Sequence, residues 1–159
     1  MDIASKALSP AINDPTTAVM ALDQIHHLLR LIGSRHLDTG HVFDSAGRLR
    51  LMYRTPDWPD FVRIAATEIR HFGHESIQVV RRLSALLEEL SGTLPPNRAQ
   101  LLRDELRWVQ SDAAKFFVAP QDQALATIGD SQGLGGVPEA GNANETKSGN
   151  AAAIAINGV

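Results

Sequence analysis

Cysteine is missing from the 159 residues, which excludes disulfides, thiolate metal sites and thiol nucleophiles and suits a reducing compartment. Aromatics are sparse at 5%, so a stacking platform for bases has little to draw on. Neither sign of charge dominates. A net charge of -3 and a pI near 6.0 supply no broad basic field, and no helix-turn-helix or RNA-binding signature is present, so nucleic acid is not an expected partner. Long apolar runs are absent too. Stretches such as Ala151 to Ile156 fall far short of the roughly 18 residues that a membrane-spanning helix requires. The first residues show no basic leader followed by an apolar core, so no secretory signal is expected, and the chain as given is expected to be soluble and cytoplasmic.

What is present is a composition of ordinary globular character, 43% apolar and 21% charged, with apolar residues recurring at helical spacing. Ile3, Ala4, Ala7 and Leu8 open the chain with a helical period. Asp14 and Pro15 then stand as N-cap and first helical residue, since proline's fixed φ suits that position. The spacing predicts a helix from Pro15 to about Ser34 with Ala18, Leu22, Ile25, Leu29 and Ile32 on its stripe. Between His41 and Tyr53 the period changes to two. This predicts a hairpin near 41–54, with Asp44 to Gly47 as its turn, Leu49, Leu51 and Tyr53 on one face, and Arg48, Arg50 and Arg54 on the other. Asp57 caps a further helix bearing Val62, Ala65, Ile69 and Phe72. Another runs from about Glu75 to Leu90 and is expected to stop at Gly92 followed by Pro95-Pro96, and a last from Asn97 to about Val118 is expected to close at Pro120. Beyond Gly129, glycine, alanine, asparagine and serine dominate, too few large apolar residues to offset the entropy of ordering. The expectation is a mainly α fold: a helical bundle over 1–128 with a short inserted β-hairpin, followed by a disordered C-terminal tail over 129–159.

Candidate sites are few. Six histidines invite a metal, but Glu68 and His71 form a single Glu-x-x-His pair where di-iron bundles use two, so no metal or cofactor is expected. Ser9 lacks the elbow of a serine nucleophile, and no catalytic residue is assigned. Asn13, Asp14, Arg70 and His71 form a potential polar cluster for a small ligand. Arg48, Arg50 and Arg54 form a ridge suited to an anion or lipid headgroup.

The run Asp2-Ile3-Ala4-Ser5-Lys6-Ala7-Leu8-Ser9-Pro10-Ala11-Ile12-Asn13-Asp14-Pro15-Thr16-Thr17-Ala18, with Asp44 to Leu51 and the block Glu68-Ile69-Arg70-His71-Phe72-Gly73, resembles the C-terminal part of a bacterial family of predicted membrane proteins catalogued as domain of unknown function 2254. The resemblance covers roughly residues 2 to 120. It implies relatives in which transmembrane helices precede this region, so that this chain resembles a copy lacking the membrane half. Membrane association is then expected only through that missing upstream segment. The expectation for function is a non-enzymatic soluble domain for assembly or regulation, with a helix-packing protein partner or a homo-oligomer. The alternative is a small-ligand binder or enzyme using Asn13, Asp14, Arg70 and His71.

Overall fold

A computed structural model of the protein describes residues 2–130. It is mainly helical, with one antiparallel hairpin inserted between helices. Helix α1 (Asp2–Ala7) is joined to α2 (Pro15–Gly33) by the Ser9 to Asp14 turn. Backbone hydrogen bonds close that turn. The N–H groups of Ile12 and Asn13 donate to Ser9 O (3.0 and 2.9 Å) and that of Asp14 donates to Ala7 O at 2.7 Å, so the end of α1 is satisfied. Asn13 takes a positive φ of 45°, a conformation that asparagine tolerates better than most residues. The Asp14 carboxylate accepts from the Thr17 amide (3.1 Å) and hydroxyl (2.6 Å), which starts α2 as the sequence predicts. These bonds, the hydroxyl first, hold its carboxyl below the ordinary range.

The hairpin pairs β1 (His41–Phe43) with β2 (Leu49–Met52). Gly40 at its base has φ 71°, and a Cβ there would lie 1.9 Å from the Tyr53 carbonyl oxygen, so only glycine fits. The register corrects one expectation. Leu49 is opposite Phe43 and Leu51 opposite Val42, leaving Arg50 as a bulge. Adjacent β1 residues point to opposite faces, so Leu49 and Leu51 are separated and the arginine alternation is broken.

Helix α3 (Trp58–Val62) is capped by Asp57, whose side chain and that of Asp60 exchange hydrogen bonds with each other's amides. It runs through a π-helical turn (Arg63–Thr67) into α4 (Glu68–Gly73). Val62, Ala65 and Ile69 are buried as expected, but Phe72 is exposed. The contact passes to Gly73, where a Cβ would come within 2.4 Å of Val79 Cγ1, and the residue beside it is turned outward.

Helix α5 (Ile77–Thr93) is the centre of the fold, buried on every side from Val79 to Leu87. It packs against α2, α4, α6 (Pro96–Phe116) and α7 (Pro120–Thr127). Of the expected stop signals, the helix runs past Gly92 and yields to the prolines. The helix ends where Leu94 turns extended ahead of Pro95, the conformation that a following proline imposes. Nor does Pro120 close α6, which ends at Phe116; Pro120 instead opens α7, a helix that the spacing did not predict. Gly129 and Asp130, which composition assigned to the tail, are held on α5: Asp130 N–H donates to Arg81 O at 3.2 Å, and Gly129 lies against Ala85. The rest of the predicted tail, 131–159, lies outside the described residues.

Candidate functional site

Two sets of charged side chains link helices inside the bundle. The first lies between α2 and α5. Arg82, almost fully buried, donates through Nε to Asp23 (2.6 Å), through Nη1 to the Asp130 carbonyl (3.3 Å), and reaches His26 Nδ1 with Nη2 at 3.2 Å. Arg30 Nη2 stands 3.2 Å from His26 Nε2 and pairs with Glu89, whose other oxygen is 3.4 Å from the same ring nitrogen. A guanidinium only donates, so a neutral His26 accepts from Arg82 at Nδ1 or from Arg30 at Nε2, and the Glu89 oxygen beside Nε2 favours the tautomer that carries its proton there. Burial pushes the His26 pKa down; Glu89 pulls it back and the two arginines oppose that pull, leaving it below its ordinary value of 6.5.

Stability then depends on pH with a definite sign. In acid the unfolded chain takes up the histidine proton before the folded chain does, so stability falls as pH drops through about 6.5 and the loss is complete below the folded pKa. Thermal midpoints measured between about pH 7 and about pH 5 should fall less steeply in His26→Gln than in the parent protein. Equal slopes would rule out His26 as the group responsible.

The second set joins α4 to α6. Arg70 pairs with Asp112 and approaches Glu105 with Nε at 3.6 Å, its guanidinium carbon 5.8 Å from the centre of the Trp108 ring. Thr67, in the π-helical turn, donates its hydroxyl to Glu105 at 2.9 Å. Burial pulls the Asp112 carboxyl up, but hydrogen bonds from Arg70 and Lys115 outweigh it and hold the pKa below the ordinary range. Glu105 is nearly inaccessible, and its Oε2 has no hydrogen-bond partner. These are ties between helices, since both carboxylates face the Arg70 guanidinium.

Two members of the proposed polar cluster are engaged elsewhere. Asp14 is engaged with Thr17 and Arg70 with α6, while Asn13 and His71 are exposed; among the described residues no hydrogen bond or ion pair joins the first two to the last two. Arg48 and Arg54 make loose pairs with Asp44 (3.6 Å) and Asp60 (4.0 Å), and Arg50 is exposed on the bulge. Among the described residues no group of three or more His, Asp or Glu is placed to hold a metal ion. Arg82, Asp23 and Glu105 were missed as site residues. The signal available was Arg81-Arg82 flanked by Val79-Val80 and Leu83, a pair that cannot be buried without partners.

The family model for predicted membrane proteins, domain of unknown function 2254, matches residues 1–89. The chain belongs to this family. An uncharacterized protein of Mycobacterium bovis is 28% identical over 126 residues, covering 79% of this chain and 24% of the relative. Two uncharacterized proteins of Mycobacterium tuberculosis match at the same identity and coverage. The chain thus spans about a quarter of the length of these relatives. No solved structure matches it. Among the described residues no helix is long and apolar enough to cross a membrane, although the family is one of predicted membrane proteins.

Proposed function

We propose that the chain is a non-enzymatic assembly domain of this family, acting outside the bilayer by packing α2 against α2 of a second copy. The observation that carries this reading is the outward side of α2. Its buried stripe of Ala18, Leu22, Ile25 and Leu29 is answered on the opposite side by Met20, Leu28 and Leu31, which are 64%, 55% and 41% exposed. At about 100° per residue these three fall within about 80° of arc, a helix-packing stripe. A twofold axis brings the same stripe to both sides, so apolar positions meet apolar positions. The charged residues of the interior are already committed to holding α2, α4, α5 and α6 in place, which suits a rigid support. Nothing in the geometry favours the ligand-binding alternative, because Asp14 and Arg70 have separate structural duties.

Sedimentation equilibrium over a concentration series tests this. The parent chain is expected to dimerise as concentration rises, and Leu28→Lys with Leu31→Lys to stay monomeric with an unchanged circular dichroism spectrum. A parent chain that remains monomeric throughout, or a dimer indifferent to both substitutions, would overturn the proposal.

A further inference from the structure

We infer that the β1–β2 hairpin is a membrane-contact arm that lies in the headgroup layer of an anionic bilayer. The ribbon stands away from the core: every residue of both strands is exposed. Two strands alone are marginal in water, and this pair is held by ties at its two ends. At the base, Tyr53 donates its hydroxyl to Asp38 (2.6 Å) and its amide to Gly40 O (2.9 Å), and Thr55 donates to Asp38 O (2.8 Å). At the turn, Asp44 accepts from the amides of Ala46 and Arg48. The arm is therefore shaped without being covered.

It combines exposed apolar side chains with a local excess of positive charge. Phe43, Leu51 and Met52 are 59%, 56% and 69% exposed, and Val42, Leu49 and Tyr53 are exposed beside them. Within 41–54 three arginines stand against one aspartate, although the whole chain carries a net charge of -3. The side chains of Arg48 and Arg54 are 76% and 87% exposed, each with only a loose pairing. Guanidinium groups suit phosphate oxygens, and tyrosine suits the boundary between apolar and wet regions. The bulge at Arg50 decides between occupants. It puts Phe43 with Leu49 on one face and Val42 with Leu51 on the other, so a flat protein partner would cover one apolar face and leave the other wet. A lipid interface surrounds a ribbon. The free N–H and C=O groups along both strand edges keep it at headgroup depth, where water and phosphate can satisfy them.

Co-sedimentation with vesicles tests the assignment, using phosphatidylglycerol mixed with phosphatidylethanolamine against pure phosphatidylcholine. The parent chain is expected to bind the anionic vesicles, to be released by salt, and to bind phosphatidylcholine weakly. Replacing Arg48, Arg50 and Arg54 together with Gln should weaken binding by about a hundredfold, at roughly fivefold for each arginine near the surface. Arg50→Gln alone, at a bulge residue with no ion pair among the described residues, cannot unfold the protein and should still cost roughly fivefold. Phe43→Ser with Met52→Ser should weaken binding without changing the bundle's thermal midpoint. Leu28→Lys with Leu31→Lys should leave it unchanged, separating this arm from the α2 surface. Absence of binding to anionic vesicles, binding indifferent to Arg50→Gln, or hairpin substitutions that alter only self-association would each overturn the assignment.

Discussion

Arg70→Leu is expected to destabilise the fold by about 3–5 kcal/mol, the cost of leaving a buried charge without its partner. The stranded group is Glu105. It is only 4% exposed, and without Arg70 its remaining contact is the single hydroxyl bond from Thr67. Asp112 suffers less, because it is about one-third exposed and keeps Lys115 at 3.3 Å. The double change Arg70→Leu with Glu105→Leu should recover much of the loss, since both buried charges are then gone. Urea unfolding of the parent, the single variant and the double variant supplies the comparison. A single variant within about 1 kcal/mol of the parent would mean that Glu105 is reached by water, and that the α4–α6 tie is not what orders this side of the bundle.

Trp58→Ala should cost about 3–5 kcal/mol, for a different reason. Trp58 is buried where α2, α3 and α6 meet, and its indole N–H donates to Arg98 O at 3.1 Å. The Arg98 guanidinium lies 5.4 Å from the centre of the ring and donates to Ile32 O and Arg35 O, both at 2.8 Å. One side chain from the start of α6 thus satisfies a carbonyl in the last turn of α2 and another just past it, and the indole holds it there. Trp58→Phe keeps most of the packing and loses the indole donor, so it should cost about 1 kcal/mol. If the two variants unfolded at the same urea concentration, the hydrogen bond rather than the buried ring would be the source of stability at this corner.

Elements whose determinants lie close in the chain were legible. Asp14 with Pro15 and Asp57 with Asp60 begin helices through bonds spanning three residues, and the Asp44 to Gly47 turn closes through its own amides. The errors have a common origin. Phe72 was read inward because its spacing matched a stripe, but the close approach of Val79 to Gly73 chose the neighbouring position. Gly92 and Pro120 carry signals that serve either to stop or to permit a helix, and only the surrounding contacts select between them. Gly129 and Asp130 look featureless in sequence because their order comes from Arg81 and Arg82, nearly 50 residues earlier.

Family membership, the mainly helical class and the position of the hairpin were determined by sequence alone, because caps, turns and periodicity act over a few residues. The tertiary structure decided which charges are buried together: Arg82 meets Asp23 across 59 residues and Arg70 meets Asp112 across 42. It also decided that the hairpin is left uncovered. Ion pairing and burial depend on which helices become neighbours, and that is a property of the packed whole that no local pattern carries.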